Sequence, residues 1–282
     1  MAAFDAAGKR LKDFRALTFD VYSTLVDEKG TAITLFTDTM YMAFMLLSLS
    51  TQAKPVSGGM FTGLQPLLCQ LPNPNPYIND RAYTLAAFQM YESYYETTQP
   101  NLLYRKILPL AYAAFAESLA LPTPSVEEAE AFGSSVGDWP AFPDTVAALQ
   151  ALEKHYRLVI LSNIDNDTIK RTLMGPLKGI EFDAVYTAEN IGSYKPDLKN
   201  FHYLLEHMQN ELGIAKAQIL HTAQSLTADH VPARQMGIVS AWIDRDNERE
   251  KFEEWKTKVN PAWRFETMQE MVQAVEKESA AS

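Results

Sequence analysis

Polar side chains that could do chemistry follow apolar runs, or open a helix, at four places along the chain. They are Asp20 after Ala16–Phe19, Ser162 with Asn163 after Arg157–Leu161, Lys195 just before a proline, and Asp229 after Gln218–Ala223. Apolar runs of this length are typical of buried strands, and open parallel α/β sheets keep reactive groups beyond the carboxyl ends of strands. A carboxylate such as Asp20 is a competent nucleophile there when it is desolvated and aimed.

Each of these residues also has a purely structural interpretation. Asp20 could do no more than cap a turn, and Asp229 could cap the helix that follows it. Ser162 and Asn163 could form a turn, and Lys195 could be a surface lysine at a helix start. The four together are harder to explain in this way than any one of them.

The composition excludes several classes of function. Of the 282 residues, 47% are hydrophobic and 21% are charged, and the net charge is −10 with a pI of about 5.0. An acidic chain without a basic face argues against a nucleic-acid partner. A small organic acid could still bind through a few local donors.

The cysteine content and the apolar segments bear on location. Cys69 is the only cysteine, so no intrachain disulfide is expected and a reducing, cytoplasmic compartment is the simplest expectation. The first ten residues lack the apolar core of a signal peptide. The most apolar segment, Met40–Leu49, is shorter than the roughly 20 residues that cross a bilayer. We therefore expect no membrane partner.

The order of elements predicts two domains. From Trp139 onward strands and helices alternate, which indicates an α/β core with a parallel sheet flanked by helices and Ile238–Ile243 as its last strand. Helical patterns over Asp80–Glu96 and Asn101–Ala120 precede it. We therefore expect a core of residues 1–30 and 135–282 and an inserted helical cap of residues 31–134.

The first of these predicted cap helices carries an aromatic stripe. Its members are Tyr83, Ala87, Met90, Tyr91, Tyr94 and Tyr95. Such a stripe is typical of core packing, and in a cap domain it would also face the active site.

An acid, a Ser/Thr pair, a lysine and a second acid, in this order at strand ends, resemble the haloacid dehalogenase (HAD) superfamily. The resemblance covers roughly residues 10–27 and 60–244, and it implies a Rossmann-like core with an inserted cap. In that family the loop after Asp27 passes almost directly to a stretch like the one that begins at Met60. Residues 31–57 are therefore interpreted as an insertion or as a gene-model artefact.

Two departures from the phosphatase members of the superfamily bear on the reaction. Those members carry a second aspartate two residues after the nucleophile, where this chain has Tyr22, and a magnesium-binding Gly-Asp pair where it has Ala223 and Gln224. Magnesium prefers anionic oxygen, so an amide weakens that site. We expect no cofactor, with a magnesium-dependent phosphatase kept as the alternative.

Both departures resemble the type II 2-haloacid dehalogenases, in which no metal is required. The catalytic residues that the resemblance implies are Asp20, Thr24, Lys195 and Asp229. The substrate-binding residues that it implies are Tyr22, Ser162, Asn163, Gln224 and Ser225. The expected activity is metal-independent hydrolysis of a small 2-haloalkanoic acid to a 2-hydroxy acid.

The resemblance also assigns roles. Asp20 would displace the halide and form an ester that water then cleaves. Lys195, with Thr24 and Ser162, would hold and neutralise the Asp20 carboxylate. Asn163 would donate to the halide, and Asp229 would pair with Lys195 and position the water.

The expected substrate pocket departs from the dehalogenase pattern. The family's cap usually supplies a halide-binding arginine, and here Gln89 or a neighbour stands at that place, with Arg81 and Arg105 as nearby candidates. Phe201 and Leu226 replace a tyrosine and an asparagine of the family. A non-catalytic HAD-fold binding protein is therefore a further alternative. The family often dimerises, so a homodimer is a further expectation.

Overall fold

The structure, a computed structural model, describes residues 8–30 and 58–280. Within them six parallel strands form one sheet in the order β3-β2-β1-β4-β5-β6. The strands are β1 (Ala16–Phe19), β2 (Arg157–Ser162), β3 (Ala184–Thr187), β4 (Ile219–Ala223), β5 (Val239–Ile243) and β6 (Trp263–Phe265). The predicted α/β class is thereby confirmed, whereas the proposed insertion 31–57 lies outside the described residues.

Strand β1 is a central strand of the sheet. It pairs with β2 on one side and with β4 on the other, so that Leu17 stands opposite both Leu158 and Leu220. All four of its residues are buried, because a strand covered on both faces must be apolar throughout. Its carboxyl end is thus the switch point of the sheet, where α/β proteins bind ligands.

The two faces of the sheet bury two separate cores. Leu158 and Ile160 of β2 pack into one apolar cluster, while Val159 and Leu161 pack into the other. This alternation follows from the two-residue period of a strand. Helices therefore cover both faces, as the sequence predicts.

The core helices mostly follow the predicted positions. They are Thr145–Leu152, Asn166–Met174, Ala188–Ile191, Leu198–Leu212, Val231–Gln235, Arg249–Trp255 and Met268–Ala280, with 3₁₀ turns at Leu11–Asp13, Val136–Asp138 and Lys216–Gln218. One difference concerns Asp229, which lies in a π-helical turn, Leu226–His230, and not at the start of an α-helix. Such turns are frequent at functional sites. No helix of the described residues is long and apolar enough to cross a membrane.

The sheet also continues one strand beyond the predicted last strand. Strand β6 pairs with β5, and the side chain of its central residue, Arg264, donates to Asp244 Oδ2 at 2.8 Å. Three residues with a central arginine form no apolar run, which explains why the sequence pattern missed this strand.

Helices also form the described residues 59–135 that precede Trp139. They are Gly59–Leu68, Pro76–Asn79, Arg81–Thr98, Tyr104–Ser118 and Val126–Ser135. Phe88 joins three of them, because its ring packs edge-on against Phe115 at 5.6 Å and against Phe132 at 5.5 Å between centroids. Edge-to-face aromatic pairs of this kind add to the apolar burial that holds the cap together.

Only half of the aromatic stripe of helix Arg81–Thr98 packs against the core, namely Ala87, Tyr91 and Tyr95, which are partly buried. Its side chains Tyr83, Met90 and Tyr94 are exposed, while the buried residues of the helix are Thr84, Phe88 and Glu92. The core-packing interpretation of the stripe is therefore wrong for these three residues. A buried face with one aromatic ring, one hydroxyl and one carboxyl carries too little apolar periodicity to be recognised from the sequence.

The two described chain ends that flank residues 31–57 meet in space. The Met60 N–H donates to Glu28 O at 2.6 Å. Gly30 and Gly59 both have a φ of +76°, and a Cβ atom on Gly30 would overlap the carbonyl oxygen of Gly58. Only glycine tolerates both the positive φ and the close backbone approach at this junction.

Candidate active site

Asp20 is the first residue after β1, and a tight turn places its carboxylate at the switch point of the sheet. The main-chain N–H of Asp20 donates to Thr222 O at 3.2 Å on the neighbouring strand. Thr24 Oγ1 donates to Asp20 Oδ2 at 2.8 Å and accepts from the Gln224 N–H at 2.9 Å. The turn thereby ties Asp20 to the carboxyl end of the neighbouring strand β4.

Lys195 brings the two candidate acids together. Its buried ammonium donates to Asp20 Oδ1 at 2.9 Å, to Asp229 Oδ1 at 2.7 Å and to Leu161 O at 3.0 Å. The Asn163 amide holds its main chain, since the Lys195 N–H donates to Asn163 Oδ1 at 2.6 Å and Asn163 Nδ2 donates back to Lys195 O at 3.0 Å. Charge-assisted bonds of this kind are the strong ones in a buried site.

His221 stands behind Asp229 and was not singled out from the sequence. Its Nε2 lies 2.9 Å from Asp229 Oδ1, and its Nδ1 lies 2.8 Å from Thr18 Oγ1. Because an ionised carboxylate can only accept, Nε2 carries the proton that it donates to Asp229. The available signal was a pair of polar residues, Thr18 and His221, inside two apolar strand runs, and the two residues face each other across the β1–β4 register.

The electrostatics keep the amine charged and Asp229 ionised. Burial alone would lower the pKa of Lys195, but Asp20 and Asp229 raise it above its usual value. Burial would raise the pKa of Asp229, but Lys195 and the His221 hydrogen bond lower it to about 2. Burial raises the pKa of Asp20, and the Asp229 charge adds to that while Lys195 opposes it. Asp20 is thus the more basic of the two carboxylates.

The two oxygens of the Asp229 carboxylate differ in their hydrogen bonds. Asp229 Oδ2 is buried and has no hydrogen-bond partner among the described residues, whereas Oδ1 accepts from both Lys195 and His221. A buried carboxylate oxygen without a partner is costly, so this atom has an unused capacity to accept a proton donor.

Several predicted substrate-binding side chains make contacts elsewhere. Tyr22 OH is hydrogen-bonded to Thr172 Oγ1 at 2.8 Å, and the Gln224 amide nitrogen lies 3.2 Å from Glu248. Ser225 caps the π-helical turn by accepting from the Ala228 N–H at 3.1 Å. Ser162 ends β2 and is buried, but within the described ranges no hydrogen bond joins it to Asp20. The structure therefore brings together Asp20, Thr24, Lys195 and Asp229, with Asn163 attached to the Lys195 main chain.

The residues present do not fit a magnesium ion. No group of three or more His, Cys, Asp or Glu side chains within residues 8–30 and 58–280 is arranged to hold a metal. Oδ1 of Asp20 and Oδ1 of Asp229 already accept hydrogen bonds from Lys195 Nζ. The side-chain amide of Gln224 lies against Glu248 and Asp246. Magnesium needs a near-octahedral set of oxygen ligands, which this arrangement does not offer.

Three further carboxyl groups, Glu28, Glu92 and Glu96, lie close enough to affect one another's pKa, and we call them the acid cluster. Glu28 accepts from Ser23 Oγ at 2.6 Å, and Glu92 accepts from Tyr104 OH. Burial raises the pKa of Glu92 well above its usual value. Burial and the charge of Glu28 raise the pKa of Glu96 to about 8, although Lys195 opposes this. Of the three, Glu96 lies within electrostatic reach of the Lys195 ammonium.

The comparisons with known proteins concern the fold of the chain. A family model described as haloacid dehalogenase-like hydrolase matches residues 14–222. No curated protein matches the chain. Because the match covers most of the chain, it is a statement about the whole fold and not about one motif.

Solved structures with the same fold include enzymes and a magnesium-bound relative. The L-2-haloacid dehalogenase RSc1362 is 20% identical, with 93% of this chain and 99% of that chain covered and a TM-score of 0.65. The L-2-haloacid dehalogenase from Xanthobacter autotrophicus is 17% identical, with 93% and 98% covered and a TM-score of 0.63. A protein described as a HAD-hydrolase, YfnB from Bacillus subtilis, bound to magnesium, is 16% identical, with 95% and 100% covered and a TM-score of 0.62. At these identities the likeness shows the fold alone.

Proposed function

The chain belongs to the haloacid dehalogenase-like hydrolases, and from that premise we propose that it is a metal-independent hydrolase of the 2-haloacid dehalogenase type. Asp20 is the proposed nucleophile, and the proposed substrate is a small 2-haloalkanoic acid. In the type after which it is named, a 2-haloalkanoic acid becomes a 2-hydroxy acid.

The observation that carries this proposal is the position of Lys195 between two carboxylates. Its ammonium lies 2.9 Å from Asp20 Oδ1 and 2.7 Å from Asp229 Oδ1, with only 3% of the residue exposed. The amine thereby supplies the positive charge that a divalent cation supplies in metal-dependent hydrolases. It also aims one Asp20 oxygen while Thr24 holds the other.

The first chemical step is a displacement at carbon. An Asp20 oxygen attacks the halogen-bearing carbon, a C–O bond forms, and the C–X bond breaks with its electron pair leaving on the halide. A desolvated and oriented carboxylate is suited to this step, because proximity and orientation replace the entropy cost of a bimolecular collision. The burial of Asp20, of which 8% is exposed, supports such desolvation.

The second step is hydrolysis of the aspartyl ester. Water attacks the carboxyl carbon of Asp20, the bond from that carbon to the ester oxygen breaks, and the product leaves as an alcohol. The unpartnered Asp229 Oδ2 offers an acceptor for a proton of the attacking water. The sum of both steps converts the organohalide and water into alcohol, halide and a proton.

A single turnover in ¹⁸O-labelled water tests the proposal. With enzyme in excess over 2-chloropropionate and a chelator present, we expect halide release, with ¹⁸O found on Asp20 and unlabelled oxygen in the product. The Asp20→Asn variant should release halide about 10⁴-fold more slowly or not at all.

Two other outcomes would assign a different function. Phosphate release from aryl phosphates that requires magnesium would replace the proposal with the phosphatase alternative. A chain that releases neither halide nor phosphate and never carries label on Asp20 would be the non-catalytic binding protein.

A further inference from the structure

Ser23 has an unusual backbone conformation next to the residue that holds Asp20. Its φ is +66°, in the left-handed region that residues other than glycine rarely adopt. Within the described ranges only Ala120 and Asn247 share a positive φ without being glycine, and both are exposed, whereas only 8% of Ser23 is exposed. Such conformations persist only where the surrounding structure holds them, and they cluster at active sites.

The backbone at Ser23 decides where the next side chain lies. Thr24 follows directly, and its hydroxyl donates to Asp20 Oδ2 at 2.8 Å. The same hydroxyl accepts from the Gln224 N–H at 2.9 Å, so its position is defined by two partners. A different φ at Ser23 would carry the Thr24 hydroxyl away from Asp20. The conformation of Ser23 therefore bears on the aim of the proposed nucleophile.

Glu28 is the side chain that holds Ser23. The Ser23 hydroxyl donates to Glu28 Oε2 at 2.6 Å, and within residues 8–30 and 58–280 this is the one hydrogen bond of that hydroxyl. The main chains of both residues share an acceptor, because the Ser23 N–H and the Glu28 N–H each donate to Val26 O at 2.9 Å. The two residues are thus joined through their side chains and through one carbonyl oxygen.

From this arrangement we infer that Glu28 is a positioning residue that holds the left-handed turn at Ser23. Through Thr24, this turn aims the carboxylate of Asp20. The inference rests on the proposed function, because it concerns the same nucleophile. Glycine would adopt the positive φ without help. Serine has a Cβ that opposes this conformation and a buried hydroxyl that needs a partner, and the Glu28 carboxyl answers the second need while it fixes the first.

Glu28 also contacts the cap, and the test must keep that contact. Its carbonyl oxygen accepts from the Met60 N–H at 2.6 Å, in the first turn of helix Gly59–Leu68. A replacement of the Glu28 side chain leaves this carbonyl in place. The side chain can therefore be tested without removing the hydrogen bond to the cap.

A double-mutant cycle tests the inference. Rapid-quench mass spectrometry of the full chain measures the rate of Asp20 ester formation from 2-chloropropionate in a single turnover. Glu28→Leu removes the acceptor of the Ser23 hydroxyl, and we expect ester formation to slow by about 10- to 100-fold, the loss typical of a misplaced reacting group. In the Ser23→Gly background the same replacement should slow ester formation by about twofold at most, because glycine keeps the positive φ unaided.

Two further variants separate the hydrogen bond from the charge and from backbone strain in general. Glu28→Gln keeps an acceptor oxygen and removes the charge, so it should retain most of the rate of ester formation. Ala120→Gly relieves a positive φ at an exposed position after helix Tyr104–Ser118. It should raise the melting temperature and leave the rate of ester formation unchanged.

Melting temperatures follow the same cycle without depending on activity. Glu28→Leu should lose several degrees in the wild-type background and much less in the Ser23→Gly background. A Glu28→Leu chain that folds only in the Ser23→Gly background would support the inference as well.

The inference and the proposed function fail in different ways. Equal slowing by Glu28→Leu in both backgrounds, or a folded Glu28→Gln variant as slow as Glu28→Leu, would overturn the inference and leave the hydrolase standing. If the wild type forms no ester on Asp20, the proposed function fails, and the melting temperatures alone decide whether Glu28 holds the turn.

Discussion

The core side and the cap side of the candidate site differ in how their buried carboxyl groups are stabilised. On the core side each carboxylate has a cationic or hydrogen-bonding partner, as in the chain of contacts from Thr18 through His221 and Asp229 to Lys195. On the cap side the carboxyls of Glu28 and Glu92 are held by neutral hydroxyls. The core thus stabilises ionised carboxylates, while burial in the cap raises the pKa of Glu92 and Glu96 and keeps these carboxyls protonated at neutral pH.

This difference separates two questions that a fold-level likeness combines. The core contacts concern whether the chain can form and cleave an aspartyl ester. The cap contacts concern which molecule is admitted to do so. A family match speaks to the first question, and the substrate must be argued from the second.

The largest expected effect comes from breaking the core side at Lys195. Lys195→Met leaves two buried carboxylates without their cation, which should cost about 3–5 kcal/mol in the free energy of unfolding at neutral pH. In the wild type Lys195 holds the pKa of Asp229 at about 2. Without it the pKa of Asp229 should rise, so the loss should shrink as the pH falls and a carboxyl takes up a proton.

Thermal denaturation at pH 7.5 and pH 5 measures this effect. Lys106→Met is the matched control, because Lys106 forms an exposed ion pair with Glu130 on the cap surface and such pairs contribute little. A Lys195→Met variant as stable as the control at both pH values would show that the core side is not held by charge pairing.

The second effect concerns His221, which acts on the reaction through Asp229. His221→Phe removes the donor to Asp229 Oδ1, so the carboxylate is freed to rotate and the water-activating oxygen is misplaced. Ester hydrolysis should slow by about 10- to 100-fold, with ester formation much less affected. Rapid-quench mass spectrometry should therefore detect the Asp20 ester accumulating.

A conservative replacement distinguishes positioning from packing. His221→Gln can still donate from Nε2 and should recover most of the hydrolysis rate. His202→Phe, which removes an exposed histidine of helix Leu198–Leu212, should change neither step. Equal slowing of both steps in His221→Phe would assign His221 a merely structural role.

The sequence was more informative about the core side than about the cap side. Asp20, Lys195 and Asp229 each follow a strand or precede a helix, so topology alone predicts that they converge. His221 was missed because a histidine inside an apolar strand gives no periodic signal. Glu92 and Glu96 were missed because helical spacing does not tell which carboxylates turn inward, and Tyr22 and Gln224 were assigned to a pocket from which their hydrogen bonds lead away.

A smaller effect is expected on the cap side, at Glu96. Glu96 is half-buried and its pKa is raised from 4.5 to about 8. Between these values the folded chain keeps a proton that the unfolded chain releases, so the free energy of unfolding falls as the pH rises. Glu96→Gln removes this pH-dependent contribution to stability. The difference in melting temperature, variant minus wild type, should therefore rise by about 2–4 °C when the pH is raised from 5 to 8.

Melting curves at several pH values measure the gain, with Glu117→Gln as the control for an exposed carboxylate of the same cap. If the two variants follow the same pH dependence, Glu96 is solvated like a surface group. The cap side would then lose one of its three acids, and the contrast with the core would weaken.

The smallest expected effect lies at the junction between the two sides. Gly30 and Gly58 meet, and the Glu28–Met60 hydrogen bond already links the chain across the gap at 2.6 Å. Deleting residues 31–57 and joining Gly30 to Gly58 therefore requires no described contact to be rebuilt. The melting temperature should stay within about 3 °C of the full chain, the change expected for less than 1–2 kcal/mol in a protein of this size.

Gly30 and Gly59 both have a positive φ, and the deletion can be joined only if both residues keep this conformation. A variant of the deletion with Gly59→Ala serves as the control, because an alanine Cβ would meet Glu28 O and the Gly30 N–H, and it should lose several degrees. A deletion that unfolds the core would show that residues 31–57 belong to its folding unit, and the interpretation as an insertion would be wrong.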